Sequence, residues 1–363
     1  MKKQVYPSNG PKPAGPYSPG LLCGDFLYVS GLASRPAAGG DIPPDFPSQF
    51  RNSIGNVRTI VEAGGFTMKD VVYSQVYLKD MTQFPALAAL WKEIYSDGGP
   101  AFAVSGMARM PTETPVQINA VVAKGAAKPH VDVREVGGRL YFSGVGGATP
   151  ALAMENLAKR AKAAGIDLGH FCFLNAYCSN GVTLAELNKV YAPYFDAGNA
   201  PARASMLMDS LPPGLSVELT GVAVRDLSTR RVVRPRNMAP SRTSSPGIWA
   251  GDMFYLSAKS GFIPGPNSGI YGTTVEQQMR QTMRNLLDGL EETGLDFSHV
   301  VASNVYLDDV GEFAKMNPVY ASYFKDIPPT RSTVQNMPMV ERKLSATGTF
   351  PMLEQVSLVA WRG

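Results

Sequence analysis

A strand-like run closing on a small-residue step occurs three times in this chain: Leu27-Tyr28-Val29-Ser30-Gly31, Leu140-Tyr141-Phe142-Ser143-Gly144 and Phe254-Tyr255-Leu256-Ser257-Ala258. The serines stand 113 and 114 positions apart. Fixed-period self-similarity decides the architecture before any other feature does. The surrounding pattern repeats in step. Each run is followed by an apolar helical period that ends at glycine: Val61-Glu62-Ala63-Gly64, Lys162-Ala163-Ala164-Gly165 and Glu292-Thr293-Gly294. Glycine just past a helix enters the left-handed region cheaply and reads as a C-cap. Phe50, Ile54, Val57 and Val61 fall on one helix face, as do Val275, Met279, Met283, Leu286 and Leu290.

A second strand follows in each copy, residues 71–78, 171–178 and 300–307, with a matched tyrosine at Tyr77, Tyr177 and Tyr306. A second helix comes next, within 84–95, 184–195 and 313–324. Two further strands, expected as a hairpin, close each copy over 101–123, 201–224 and 329–361. The unit is thus β(β)-α-β-α-β-β, about 120 residues long. Each unit carries enough apolar pattern for its own sheet with two helices on one face, so the array is not a solenoid. The expected borders lie near Lys128 and near Thr229–Arg230.

Composition narrows the classes of function. Of the 363 residues 44% are hydrophobic and 18% charged, as in a globular chain. The net charge of +4 gives no warrant for nucleic acid as a partner. The run Arg225, Arg230, Arg231, Arg234 and Arg236 falls between two copies and reads as a solvated linker. Cys23, Cys172 and Cys178 are odd in number and lack a CxxC, which argues against a disulfide framework or a zinc site and favours a reducing, cytoplasmic compartment. The start carries charge without an apolar core, so no signal peptide is expected. No apolar run approaches the roughly 18 residues of a membrane span.

The opening Gly15-Pro16-Tyr17-Ser18-Pro19-Gly20, the Val29-Ser30-Gly31 step, and the closing Pro201-Ala202-Arg203 and Val217-Glu218-Leu219 resemble the RidA/YjgF family of enamine/imine deaminases. All three copies share the resemblance, the third through Pro329-Thr330-Arg331. It implies an α+β fold of three chorismate-mutase-like, RidA-like β-α-β-α-β-β domains over 1–128, 129–229 and 230–363. Family members are homotrimers with ligand clefts between subunits. Three fused copies would form an intramolecular pseudo-trimer that runs as a monomer, with three six-stranded sheets around a barrel-like core and six helices outside.

The family's chemistry is hydrolysis of 2-enamino or 2-imino acids to 2-oxo acids and ammonia, without a cofactor. The resemblance assigns an arginine to the substrate carboxylate, and a guanidinium suits that group because it offers a rigid two-pronged donor and stays charged. It assigns a glutamate to water, as a general base or a positioning group. In the second copy these are Arg203 and Glu218, 15 residues apart and expected on adjacent strands of one hairpin. The first copy holds Phe102 and Gln117 at the same places, which removes the chemistry there. The third keeps Arg331, 24 residues from Gln355, with Glu354 on the opposite strand face unless a bulge intervenes.

Further ligand-binding positions implied by the resemblance are Tyr17, Ser30, Gly31, Ser143, Gly144, Asn188, Ser205, Asn317 and Arg331. Thr333 corresponds to Ser205, Ala88 to the two asparagines, and Ser244 to Tyr17. The second copy is shortened between its serine and its helix cap, 22 residues against 34 and 37. The partner expected is a small carboxylate, with neither nucleic acid nor membrane.

His130, His170 and His299 show no HxH or HExxH spacing, so no metal site is expected. Gly144-Val145-Gly146-Gly147 lacks the lysine and spacing of a phosphate loop. Tyr191 and Tyr320 recur at helical spacing and read as core. Two functions remain: a cofactor-free deaminase, favoured by Arg203 and Glu218, and a non-catalytic binder or scaffold, favoured by Phe102 and Gln117. Ribonuclease activity, attached to some relatives, is disfavoured by the small net charge.

Overall fold

The computed structural model describes residues 2–96, 98–127, 132–236, 238–265, 269–339, 341–346 and 348–363. Lys128, placed at the first expected border, and His130 lie outside the described residues.

The first copy runs β1 Lys3–Val5, β2 Gly20–Cys23, β3 Phe26–Ala33, α1 Phe46–Ala63, β4 Val71–Leu78, α2 Phe84–Ile94, β5 Ala101–Gly106 and β6 Val116–Ala123. The second runs β7 Val133–Val136, β8 Arg139–Gly147, α3 Pro150–Ala163, β9 Phe171–Cys178, α4 Leu184–Tyr191, β10 Ala202–Leu207 and β11 Val217–Val224. The third runs β12 Arg230–Val233, β13 Gly247–Ala250, β14 Met253–Ser260, α5 Val275–Glu291, β15 Val300–Leu307, α6 Phe313–Ala321, β16 Thr330–Gln335 and β17 Glu354–Trp361.

Local chemistry explains where the helices begin. Asp45 caps α1 by accepting from the Ser48 amide at 2.9 Å. Thr183 with Glu186 and Thr274 with Gln277 form capping boxes at α4 and α5, each satisfying amides the helix leaves unpaired. At the end of α1 the left-handed residue is Gly65, with φ 82°, rather than Gly64, which stays helical at φ −78°. Gly165 and Gly294 take positive φ as expected.

Two of the three sheets have six strands, ordered β1-β2-β3-β6-β4-β5 and β12-β13-β14-β17-β15-β16. The middle one has five, β10-β9-β11-β8-β7. The expectation of three equal sheets is corrected here: the second copy lacks a counterpart of β1 among the described residues. Arg230 belongs to β12 and does not sit in a free linker. Its guanidinium donates to the Phe171 carbonyl at 3.0 Å and to Asn199, tying the second copy to the third.

The closing strands do not form a hairpin. β10 pairs in parallel with β9 and occupies the sheet edge, while β11 pairs antiparallel with both β9 and β8. The same order holds in the other copies. The helix between β9 and β10 makes a β-α-β crossover, which delivers a parallel edge strand, and the next strand must then enter on the far side of β9.

Each helix pair covers its own sheet. Phe50, Ile54, Val57 and Val61 pack in the first layer, Met154 and Leu157 in the second, Met279, Met283, Leu286 and Leu290 in the third. A fourth cluster draws on all three copies and includes Tyr28, Tyr141, Tyr255, Tyr77, Tyr177 and Tyr306. The Tyr177 and Tyr306 hydroxyls meet at 3.1 Å, which satisfies polar ends inside this shared core. The edge strands seal the joints in rotation: β5 lies on β8, β10 on β14, and β16 on β3.

Candidate ligand clefts between the copies

One hydrogen bond marks all three joints. The amide of Phe102 donates to Ser143 Oγ at 3.1 Å, that of Arg203 to Ser257 Oγ at 2.8 Å, and that of Arg331 to Ser30 Oγ at 2.9 Å. Ser30 and Ser257 pass the bond on to the carbonyls of Ser18 and Ser245 at 2.7 and 2.6 Å. These hydroxyls therefore hold the neighbouring edge strand in place. The residue at the arginine position always lies at a joint whose other side belongs to the next copy.

The cleft between the third and first copies gathers the most site residues. It is a cavity of about 360 Å³ whose lining includes Tyr17, Gly31, Gln117, Phe313, Arg331 and Thr333. Arg331 is only 2% exposed, and none of its three guanidinium nitrogens has a hydrogen-bond partner. Its guanidinium carbon lies over the rings of Tyr320 at 4.8 Å, Phe313 at 5.1 Å and Tyr17 at 5.3 Å. Burial lowers its pKa from the usual guanidinium value, with the two phenols opposing that shift, and it remains a cation. Asn317, on α6, comes to the same place, and its Oδ1 is also unpartnered. A Cβ at position 15 would lie 2.6 Å from Arg331 Nη2 and 3.1 Å from Asn317 Nδ2, so a larger residue there would displace the guanidinium from its present place. Tyr17 is held by its hydroxyl, which accepts from the Ala14 amide at 3.0 Å. Gly31 leaves room for Gln117, whose Oε1 would overlap any Cβ at that position. Gln117 Nε2 donates to the Thr333 carbonyl at 3.4 Å, while its Oε1 is unpartnered.

Between the second and third copies sits Arg203, 8% exposed. It donates to Asn188 Oδ1 at 2.5 Å and stacks over Tyr191 at 4.5 Å, with Nη1 left unpartnered. Ser205, two residues along the strand, has a buried hydroxyl with no partner. Ser257 stands across the joint from Arg203, and the Gln355 side chain donates to Met352 Sδ at 2.9 Å. Gln355 stands across from Tyr306, in the register that puts Gln117 across from Tyr77 and Glu218 across from Tyr177. Glu354 turns away to the helix layer, where it accepts from Thr282 Oγ1. It fills a place that Val116 and Val217 hold in the other copies. Burial raises its carboxyl to about 8.

The joint between the first and second copies has the opposite composition. Phe102 stacks on Trp91, centroids 4.9 Å apart and planes at 25°. Glu218 comes to the same joint, against Val104 and Ser105 of the first copy's edge strand, 3% exposed and with Oε2 unpartnered. Burial raises this carboxyl to about 8, against the pull of the Val104 amide and the Ser105 hydroxyl. Gly144 is the small residue that makes space for it.

Arg203 and Glu218 thus do not share a cleft, and the expectation that they form one pair is corrected. β9 separates their strands, so Arg203 at the sheet edge meets the third copy while Glu218 meets the first. Arg331 and Gln117 line one cavity, and by position the other two joints set Arg203 against Gln355 and Phe102 against Glu218. Each has a guanidinium or a carboxylate at these two positions, and none has both.

Tyr191, Tyr320 and Phe313 seat the arginines, a role that helical spacing alone does not distinguish from plain core. A signal was present. Asn188 and Tyr191, like Asn317 and Tyr320, stand three apart on one helix face, and both pairs accompany an arginine. The first copy has Ala88 and Trp91 there, and they accompany Phe102.

Other candidates dissolve into structure. His170 and His299 cap short turns against Asp167 and Asp296 at 3.0 and 2.9 Å. The three cysteines are buried and free. Among the described residues no group of three His, Cys, Asp or Glu side chains could hold a metal, and no helix is long and apolar enough to cross a membrane.

The fold defines a class: α+β units repeated three times in one chain, which meet edge strand against sheet at three joints. The sequence profile of the family described as Endoribonuclease L-PSP matches residues 7–124, 123–225 and 236–343, and the chain belongs to that family in three tandem copies. A RutC family protein of Pyrococcus horikoshii is 33% identical over 125 residues, 34% of this chain and 99% of the relative. The 2-iminobutanoate/2-iminopropanoate deaminase of Escherichia coli is 30% identical over 127 residues, again 34% and 99%. The crystal structure of the Escherichia coli YjgF gene product covers 34% of this chain and 98% of its own, with 30% identity and a TM-score of 0.33.

Proposed function

We propose that the chain is an intramolecular pseudo-trimer that binds small 2-oxo or 2-imino carboxylates in the cleft between its third and first copies. One observation carries the reading: the buried, wholly unpartnered guanidinium of Arg331 at a cavity of about 360 Å³. An isolated buried charge costs on the order of several kcal/mol unless an opposite charge meets it. A ligand carboxylate meets it with two parallel charge-assisted bonds. Tyr17, Phe313 and Tyr320 fix the plane of the guanidinium, so little ordering is required on binding. The test is calorimetric titration of the full chain with 2-oxobutanoate, against Arg331→Ala. Binding by the parent and its loss in the variant are expected; equal binding by both would remove the reading.

A second reading, imine hydrolysis in the same cleft, is favoured by Gln117. Its unpartnered Oε1 lies at the position that holds a carboxylate in Glu218, and it can orient a water by accepting from it. It cannot take a proton from that water at neutral pH. Turnover would then rest on positioning, which suits an electrophilic imine. The deaminase name of the Escherichia coli relative supports this chemistry for the family. Ammonia release from enzymatically generated 2-iminobutanoate, measured with and without the chain, tests it; release no faster than buffer leaves binding alone.

A further inference from the structure

The mouth of the same cavity carries a second feature that the carboxylate seat does not use. Besides Arg331 at the floor, its lining holds Lys12 and Arg35, and among the described residues no Asp or Glu lines it. Arg35 is exposed yet held. Asn56 donates to its carbonyl at 2.9 Å, and its own Nη1 donates to the Gly40 carbonyl at 2.5 Å. Neither Arg35 nor Lys12 has a carboxylate partner among the described residues. Glu113, next to the lining residue Thr112, is engaged by Arg109 at 2.5 Å and Lys79 at 3.7 Å. Much of the remaining lining is apolar, with Leu32, Ala33, Pro36 and Pro111.

Size points the same way. At the roughly 30 Å³ that a water molecule occupies in the liquid, an acid of seven non-hydrogen atoms fills about 200 Å³ at most. The cavity of about 360 Å³ leaves room beyond it. A ligand anchored on Arg331 would run along this apolar lining and end between two cations. The loop bearing Arg35 exists because the first copy is long between β3 and α1. In the second copy α3 starts at Pro150, directly after β8 ends at Gly147, so the mouth is not duplicated there.

We infer that this cleft selects dicarboxylic 2-oxo or 2-imino acids, one carboxylate on Arg331 and the second between Lys12 and Arg35. This rests on the reading of Arg331 as a carboxylate seat. Exposed cations are screened by salt, so the preference should reach about tenfold in dilute buffer and shrink as salt is added.

The experiment titrates the full chain with acids matched in length, 2-oxopentanoate against 2-oxoglutarate and 2-oxohexanoate against 2-oxoadipate, in low and high sodium chloride. Lys12→Gln/Arg35→Gln and Arg331→Ala are titrated alongside. At least one diacid should bind about tenfold tighter than its monoacid in the parent, with the ratio falling towards one in the double variant and in high salt. Arg331→Ala should lose both kinds of acid. Monoacids that bind as well as diacids overturn the diacid inference and leave the Arg331 reading standing. A ratio that survives the double variant also overturns it. If no acid binds the parent, both readings fall together.

Discussion

The joint between the third and first copies and the joint between the first and second are built on one plan and furnished in opposite ways. Both place an edge strand on the next copy through an amide-to-serine hydrogen bond. At the first of them Arg331, Asn317 and Tyr320 face Gln117; at the second Phe102, Ala88 and Trp91 face Glu218. The helix face has changed together with the strand residue it supports, from Asn and Tyr beside arginine to Ala and Trp beside phenylalanine. Residues that pack as a group change as a group, because a guanidinium left without its aromatic seat, or a phenylalanine facing a polar amide, would cost stability. Fusion into one chain permits this, since three identical subunits could not furnish their joints differently.

The contrast can be broken by mutation. The largest effect is expected from Arg331→Ala, which removes two charge-assisted bonds to the ligand. Affinity for a 2-oxo acid should fall about 100-fold or more by calorimetry, given about 1.5–3 kcal/mol for each such bond. In the unliganded protein Arg331→Met should raise the thermal midpoint, because an uncompensated buried charge is replaced by an apolar chain of similar length. A lowered midpoint would show that the guanidinium has a partner in solution.

Next comes Gln117→Glu, which places a carboxylate opposite Arg331 and so joins in one cleft what the chain divides between two. Ammonia release from 2-iminobutanoate should rise by about 10²-fold if general-base catalysis is what the cleft lacks. An unchanged rate would assign the limit to binding or to positioning.

The pH dependence of stability sharpens the comparison further. Glu218 and Glu354 are raised by burial from 4.5 to about 8. The folded chain therefore holds protons that the unfolded chain has released between those values. The contribution of these groups to stability is whole below 4.5 and is lost as pH rises towards 8. Thermal midpoints should decline across that window, and the decline should flatten in Glu218→Gln/Glu354→Gln. A slope unchanged in the double variant would place the titration elsewhere.

The smallest effect is expected from Ser30→Ala, which removes the bond to the Arg331 amide and costs about 1 kcal/mol. Denaturant titration measures it. The same change at Ser143 should cost somewhat less, because Ser30 also donates to the Ser18 carbonyl, but it should still be measurable although that joint has no arginine, since the Phe102 bond is made by backbone.

Much of this molecule was legible in one dimension. The period, the helix faces at Phe50 and Val275, the caps and the matched tyrosines all depend on neighbours a few residues away, and the three family matches follow the same period. Phe102 and Gln117 keep the spacing of Arg203 and Glu218, and the strand register sets Gln117, Glu218 and Gln355 at equivalent places although Gln355 stands 24 residues from Arg331. Glu354 faces the helix layer, the outcome strand alternation implies where no bulge intervenes. The hairpin was not legible: two strands joined by a short connection look alike in sequence whether they pair directly or are parted by a third. That single error joined Arg203 to Glu218.

What the sequence determined by itself is the repeated α+β unit, its core, and which copies carry arginine, glutamate or neither. The tertiary structure alone decided which of those residues meet. Strand order sends the arginine position of each copy outward to the next copy and keeps its glutamate position facing the previous one. Meeting across a joint is a property of three sheets packed in rotation, and no local pattern encodes it.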